Sequence, residues 1–520
     1  MLLASDNLAV PLHRNSLGDP GRIAIAAGGC ELGYGETAAL ARRVAGRLQE
    51  VRKTGRVGIL ASRSIAACVG ILGTAWSGGT YVPLNLKLPE ERLLHLLGVL
   101  DLDALVVDAR GARMLTPAVA AAAPRTILRG DEVRDGLPQG VRLSALADRG
   151  PAEPAPVSPD DLAYIEFTSG TTGVPKGVMV PVGAVNHYLR VTQERFGLRP
   201  DDRMAETCDI TFDLSVHNMF LAWQAGASLH VMSPLEMVSP SRFIRSREIT
   251  AWLSVPSIIA MMRKTRALEP NSLPSLRLSW FCGEALAVGA ARAWAAAAPN
   301  SRVDNIYGPT EATVACLWQP VTEPVAVTPA RAIVAIGLPY PGMEAAILDE
   351  ALRPLPPGAA GEIALAGPQL AHGYYGQPEL TDARFPTIGG QRWYLTGDLG
   401  MRDEDGLFHH LGRLDNQVKI LGNRIELEEV EMHLRAASDS DHVAAVAWPL
   451  RDGLAEGIVG FVVGDRPAEA IQAAMRETLV AYMVPNAIHI VDRLPLNGNG
   501  KIDRKALTAT LDAQDLVKAA

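Results

Sequence analysis

The chain has 520 residues, 48% hydrophobic and 20% charged, with 49 Lys+Arg against 57 Asp+Glu for a net charge of −8. That length allows two or three domains around a large core, and the charge balance excludes a broad basic face for nucleic acid. No apolar run reaches the ~18 residues of a membrane span, no signal-like leader opens the chain, and five dispersed cysteines (Cys30, Cys68, Cys208, Cys282, Cys316) form no CxxC pair. The expectation is a cytoplasmic protein without a disulfide framework, a membrane anchor or a nucleic-acid partner.

Residues 1–160 read as alternating strands and helices. Helical spacing predicts helices over 34–50, 65–76 and 90–100, the last opened by Pro89. Short apolar runs predict strands over 57–60 and 104–107. Such alternation argues for a parallel sheet covered by helices. Residues 110–160 are richer in Ala, Pro, Gly and Asp and read as a surface connection.

A largely apolar run, 162–167, predicts a buried strand ending at Thr168-Ser-Gly-Thr-Thr-Gly-Val-Pro-Lys-Gly177. Gly170, Gly173 and Gly177 allow close backbone approach to a ligand. The hydroxyls of Thr168, Ser169, Thr171 and Thr172, with backbone N–H groups, suit phosphate oxygens. Lys176 adds a charge where a triphosphate would sit. The spacing is not Gly-x4-Gly-Lys-Ser/Thr, so the nucleotide fold differs from a Walker loop. Composition alone equally describes a polar loop.

Beyond it, 182–196 and 285–298 read as helices, and 229–232 and 251–255 as strands. From about 330 the pattern turns to short strands (344–348, 361–366, 393–396, 407–411), a β subdomain over about 330–414. After Asp415 comes a compact α+β tail with helices over 425–436 and 467–479, strands over 443–447 and 458–463, and a Gly-rich loop through Lys501. The domains are therefore expected at 1–414 and 415–520, with a hinge near Asp415. The overall expectation is an α/β protein: a large N-terminal domain of helix-covered sheets plus the β subdomain, then a small mobile α+β domain. His409-His410 invites a metal reading, but adjacent strand residues point to opposite faces and no third ligand is near in sequence. One packed and one exposed histidine is expected.

Eight stretches occur in a fixed order: 168–177, Phe212-Asp-Leu-Ser215, Asn305-Ile-Tyr-Gly-Pro-Thr-Glu311, Gly361-Glu-Ile363, Gly373-Tyr374, Tyr394-Leu-Thr-Gly-Asp-Leu399, Gly412-Arg-Leu-Asp-Asn-Gln-Val-Lys-Ile420 and Asn497-Gly-Asn-Gly-Lys-Ile502. Together they resemble the adenylate-forming enzymes, and more narrowly the amino-acid adenylation enzymes of nonribosomal peptide synthesis and the D-alanine–carrier-protein ligases. The resemblance implies that a carboxylate attacks the α-phosphorus of ATP. That chemistry needs charge stabilisation more than covalent help. Lys501, between Gly500 and Ile502, would supply charge between the carboxylate and ribose or phosphate oxygens. Glu311 would hold Mg²⁺ and Thr310 would donate to the α-phosphate. Tyr307 would stack on adenine, Asn305 would bind its edge, and Gly283, Glu284 and Gly308 would line the nucleotide site. Asp398 would accept the ribose hydroxyls, with Arg413 assisting.

For the substrate, the resemblance pairs Asp213 with an α-ammonium; the plainer reading is a helix N-cap. Pocket-lining positions fall on Leu214, His217, Leu253, Trp280, Cys282, Ile306, Val314 and Ala315. A large Trp280 and mostly apolar walls imply a small amino acid, alanine first, with glycine, serine or 2-aminobutyrate behind it. Cys282 as a nucleophile lacks a partner motif.

The tail resembles a domain that rotates between half-reactions, so Lys419, Gly422 and Asn423 would serve transfer to the phosphopantetheine arm of a carrier protein. Leu421 and His372 stand where arginine is common in relatives. No carrier or condensation motif is found, so the carrier is expected to be a separate acyl or peptidyl carrier protein, with Arg242, Arg245 and Arg247 a weak candidate docking patch beside the reading of a solvated loop. The rival readings are an acyl- or aryl-CoA ligase, a non-catalytic nucleotide-binding scaffold, and a kinase releasing ADP.

Overall fold

The computed structural model describes residues 6–133, 140–169, 175–420, 422–451, 454–496 and 502–519. Its contacts divide the chain into two compact units. The first is drawn from residues 1–86, 94–167 and 177–414, the second from 87–93, 168–176 and 415–520.

Two large sheets build the first unit. One has eight strands in the order Gly373–Tyr374, Lys176–Pro181, Leu162–Thr168, Thr80–Pro83, Arg56–Leu60, Ala104–Val107, Thr126–Arg129 and Gly140–Arg142. Val57 lies beside Tyr81 and Ala104, and Tyr81 beside Tyr164, all in parallel. Val57, Gly58, Ile59 and Leu60 are all buried, because helices cover both faces; the strand therefore reads as a continuous apolar run. The helix Ile65–Trp76 is buried from Ala66 to Trp76, and Ser64 caps it by accepting from Ala67 N–H. It packs on Tyr34–Val51 through Gly73, where an added Cβ would lie 2.4 Å from Val44.

The other sheet has nine strands, in the order Leu338–Pro339, Leu317–Pro320, Arg302–Tyr307, Leu278–Phe281, Ala251–Ser254, Arg203–Glu206, Ser228–Val231, Ile23–Ala27 and Cys30–Gly33. Its centre is parallel and its two ends antiparallel. The helix Leu214–Ala225 is apolar on every side and buried from Leu214 to Trp223, so it belongs inside the unit rather than on its surface. A five-stranded antiparallel sheet follows, made of Glu344–Leu348, Ala360–Ala366, Thr387–Ile388, Gln391–Arg402 and Phe408–Arg413.

The second unit has its own core, including Ile425, Val430, Leu434, Val443, Ile471 and Met475. A three-stranded sheet (Val443–Ala447, Ile458–Val462, Ala487–Ile490) packs with Leu427–Ser438 and Ala468–Thr478. Buried Glu431 ties these parts: its Oε1 accepts from Ala445 N–H at 3.0 Å and from Arg504 at 2.6 Å.

Three expectations are corrected. Residues 110–160 are not merely a connection: Thr126–Arg129 and Gly140–Arg142 extend the eight-stranded sheet in parallel. Strands of four and three residues between Pro and Gly carry too little periodicity to be read. The helix expected from 285 begins at Val288, because Ala287 is extended and bridges Ile333. The terminal helix Arg504–Ala519 was not anticipated. No helix among the described residues is long and apolar enough to cross a membrane.

Candidate active site

Strand register assembles the pocket positions. Leu253 lies beside Trp280, and Trp280 beside Asp304. Two residues further along each strand direction, Cys282 and Ile306 return to the same face. From the opposite side comes the helix Leu214–Ala225. Its His217 meets the Trp280 ring edge-to-face at 4.8 Å, and Phe196 meets the same indole at 5.2 Å. Tyr188 hydroxyl and His217 Nδ1 lie 2.5 Å apart. Burial drives the His217 pKa down to about 3, so the ring is neutral. Its Nε2 and the Trp280 Nε1 find no hydrogen-bond partner among the described residues.

The third wall is a strained turn. Thr313 and Val314, both β-branched, adopt φ of 56° and 65°, a region such residues rarely enter. Val314 N–H donates to Asp213 Oδ2 at 3.2 Å, and Cys282 Sγ lies 3.9 Å from Val314 O. The backbone of this one residue thus touches both the acid and the thiol. Buried Gln369 holds the turn: its Nε2 donates to the carbonyls of Ala312, Thr313 and Ala315, and its own backbone carbonyl accepts from Thr313 Oγ1 at 2.7 Å. Gly308 packs under it, where a Cβ would fall 2.5 Å from Ala315 Cα. Gln369 was not singled out in the sequence.

Asp213 stands at the N-cap position, yet its side chain makes no capping bond. The capping alternative therefore lacks support. Asp213 is 8% and Leu214 6% exposed, whereas Leu253, His217, Trp280, Cys282, Ile306, Val314 and Ala315 all lie between 0% and 2%. All of these side chains are buried, Asp213 and Leu214 slightly less than the rest.

A second polar corner forms around Asp398. Arg413 Nη1 donates to its Oδ1 at 2.7 Å, His410 Nε2 lies 3.3 Å from the same oxygen, and Tyr307 hydroxyl donates to Oδ2. Asp398 lies opposite Arg413 in the antiparallel register. Burial, then the Asp398 charge, raises the Tyr307 pKa well above that of an ordinary phenol. The histidine pair departs from expectation: His409 is buried against Asp403 at 2.9 Å, but His410 is half-buried and reaches Asp398 rather than solvent. The bulge between Leu399 and Gly400 shifts the register and brings His410 there. Among the described residues no cluster of three metal-ligating side chains exists.

Other positions have structural partners. Asn305 Nδ2 donates to Ala335 O at 2.9 Å. Glu284 accepts from Ser257 N–H at 2.8 Å, at the start of the helix Ser257–Lys264. Gly283 has φ 86°, which favours glycine. Thr310 opens a short 3-10 turn, and buried Glu311 accepts from Tyr374 hydroxyl at 2.9 Å. One buried carboxylate suits Mg²⁺, which keeps waters and phosphate oxygens as its other ligands.

In the second unit, Lys176 Nζ pairs with Glu426 Oε1 at 3.1 Å, both buried, and Ser169 Oγ donates to Arg424 O at 2.8 Å. Thr168 Oγ1 is buried without a partner among the described residues. The Lys176 ammonium is thus engaged by a carboxylate, not exposed at a loop surface. Lys419 is exposed on the strand Gln417–Ile420, Asp415 precedes that strand, and Gly422 has φ 80°. Gly170, Thr171, Thr172, Leu421 and Lys501 lie outside the described residues. Arg242, Arg245 and Arg247 sit on the helix Pro240–Arg247, not on a loop.

Two family profiles match: AMP-binding enzyme over residues 12–375 and AMP-binding enzyme C-terminal domain over 429–501. The chain belongs to the AMP-binding enzyme family. It is 31% identical to the D-alanine–D-alanyl carrier protein ligase of Bacillus velezensis, covering 92% of this chain and 94% of that one. It is 35% identical to phosphinothricin tripeptide synthetase PhsC of Streptomyces viridochromogenes, covering 94% of this chain. It spans only 44% of that relative, and 38% of the AMB antimetabolite synthetase AmbB of Pseudomonas aeruginosa, to which it is 36% identical. Among solved structures, the Vibrio cholerae adenylation domain AlmE, in complex with glycyl-adenosine-5'-phosphate, superposes with a TM-score of 0.87 at 31% identity over 97% of this chain and 98% of that one. The α/β fold with a large first domain and a small second one is that of these adenylation domains.

Proposed function

We propose that this chain activates a small amino acid, glycine or alanine, with ATP as an aminoacyl-adenylate and passes it to the phosphopantetheine thiol of a carrier protein. The observation that carries the reading is the placement of Asp213. It is a buried carboxylate whose Oδ2 accepts from Val314 N–H, next to Cys282 and a set of almost fully buried, mostly apolar side chains. A buried carboxylate suits a cation, and the bulk of the buried Trp280 and His217 favours a small side chain on the substrate. A fatty or aryl acid offers no cation and needs more space. The relatives support this choice: one is named for D-alanine, another holds a glycyl-adenylate.

The residue roles follow this reading. Asp213 holds the ammonium, and Trp280 and His217 set the pocket depth. Asp398, steadied by Arg413, Tyr307 and His410, accepts the ribose hydroxyls. Thr310 donates to the α-phosphate. Glu311 would hold Mg²⁺, which when bound neutralises phosphate charge. The hydroxyls of 168–172 with Lys176, and separately Lys501, are assigned to the phosphates and the reacting carboxylate by the resemblance alone. Domains at 1–414 and 415–520, a hinge at Asp415 and transfer roles for Lys419 and Gly422 rest on the same ground.

Amino-acid-dependent exchange of pyrophosphate into ATP, run across the amino acids with both enantiomers of alanine, tests the proposal. Exchange restricted to glycine and alanine is expected. Exchange driven by acetate or benzoate and not by amino acids would return the chain to the acyl-CoA ligases. Lys501→Ala should lower exchange by about 10³-fold with the fold intact; near-normal exchange removes Lys501 from the mechanism.

A further inference from the structure

One side chain from far along the chain holds the strained turn of the amino-acid pocket. Gln369 is fully buried, in the segment that joins the strands Ala360–Ala366 and Gly373–Tyr374. Its amide is engaged at both ends. Nε2 donates to Ala312 O at 3.2 Å, to Thr313 O at 3.3 Å and to Ala315 O at 2.8 Å. Oε1 lies 3.1 Å from His187 Nδ1; an amide oxygen only accepts, so the imidazole donates there. A flipped amide would set its oxygen against three carbonyl oxygens, so the surroundings fix its orientation. The Gln369 backbone carbonyl closes the clamp from the other side by accepting from Thr313 Oγ1 at 2.7 Å.

The clamped residues are the strained ones. Thr313 and Val314 have φ of 56° and 65°, and β-branched residues stay in that region only where their surroundings over-determine it. Val314 N–H donates to Asp213 Oδ2 at 3.2 Å from this conformation. A return of Val314 to an ordinary negative φ would turn that N–H away from the acid. The flanks of the turn are anchored independently. Glu311 O accepts from Ala371 N–H at 2.8 Å, the Glu311 carboxylate accepts from Tyr374 hydroxyl at 2.9 Å, and Cys316 N–H donates to Tyr307 O at 2.8 Å. Loss of the clamp should therefore disturb residues 313–315 and spare Glu311 and Tyr307. We propose that Gln369 is a positioning residue of the amino-acid subsite, holding Val314 in the left-handed region so that its N–H is aimed at Asp213. The inference rests on the adenylation reading, in which Asp213 meets the substrate ammonium, and extends it to a residue that acts through the turn. The plainer role is to satisfy three buried carbonyls, which would support the fold without favouring either substrate.

The test compares wild type with Gln369→Met in pyrophosphate exchange driven by glycine or alanine, beside thermal melting. Methionine keeps an unbranched chain of similar length but donates nothing. Misplacement of a binding group on the ångström scale costs up to about 10²-fold, so kcat/KM for the amino acid should fall about 10- to 100-fold, through KM, with the KM for ATP within about twofold of wild type. A lower melting temperature with a wild-type amino-acid KM would assign the plainer role and overturn the proposal. Equal rises in both KM values would overturn it too. Gln369→Glu adds a readout that a purely structural role would not move. Its carboxyl group keeps one donor while protonated and has none once ionised. The amino-acid KM of this variant should climb relative to wild type as pH rises through about 6 to 9, the range of a buried glutamic acid. Parallel pH profiles would contradict the proposal, and this comparison decides alone should Gln369→Met fail to fold. If wild type itself exchanges with no amino acid, the adenylation reading fails; if wild type exchanges and the folded variants match it, only the role of Gln369 fails.

Discussion

The Asp398 corner and the Asp213 pocket are both polar and buried, but they are finished to different degrees. At Asp398 every neighbour already has a partner: Arg413 and His410 on one oxygen, Tyr307 on the other. Near Asp213 polar groups are left over: His217 Nε2, Trp280 Nε1, Tyr81 and Tyr164 lack hydrogen-bond partners among the described residues. A completed network positions its carboxylate before a ligand arrives, and the ligand adds little further order. An incomplete one leaves polar atoms for a ligand to satisfy. The first suits a constant part of a substrate, such as a ribose, and the second suits the part that must be selected.

Substitutions can break or sharpen this contrast. Asp398→Ala should have the largest effect. It removes the acceptor that Arg413 and Tyr307 share, so exchange should fall by about 10³-fold with KM for ATP raised most. An effect confined to the amino-acid KM would merge the two regions. Asp213→Asn should cost about 10²-fold, seen as a higher amino-acid KM and weaker rejection of propionate; unchanged selectivity would make Asp213 structural. Trp280→Ala should make room for larger side chains. Each added methylene is worth about 1–3 kcal/mol, so valine or leucine should gain roughly tenfold or more over alanine. No change in the panel would put Trp280 off the pocket.

The smallest effect concerns pH. Burial lowers the pKa of His217 to about 3, and of His230 and His433 to about 4, against an ordinary 6.5. The unfolded chain therefore binds these protons first as pH falls. Their contribution to stability is present above about pH 6.5 and is lost as pH drops toward 3 to 4. Glu206, pushed up to about 8 by burial, acts oppositely: its contribution is present below 4.5 and is lost as pH rises toward 8. Denaturant midpoints should fall on the acid side, and His217→Gln should flatten that limb relative to wild type.

Much of the architecture was legible because single elements carry it. Ile65–Trp76 and Val182–Phe196 carry their apolar pattern within their own residues, with Ser64 capping the first and Gly197 ending the second. The face shared by Leu253, Trp280, Cys282 and Ile306 follows from strand alternation once the strands are placed side by side. What escaped notice depends on topology. Gln369 clamps a turn more than fifty residues earlier in the chain. His410 reaches Asp398 only because a bulge shifts the register. Glu166, on the strand Leu162–Thr168, accepts from Asp213 N–H at 3.2 Å yet hid in an apolar run, since one acid among Tyr, Ile and Phe does not disturb a strand pattern. Such residues are set by neighbours distant in sequence, and no local spacing announces them.

The most direct measurement is the nucleotide product formed when the purified protein is given ATP, magnesium, hydroxylamine and either glycine or alanine. The account predicts AMP and pyrophosphate together with the matching aminoacyl hydroxamate, in amounts that depend on the amino acid. Formation of ADP, or nucleotide turnover indifferent to which acid is present, would contradict it.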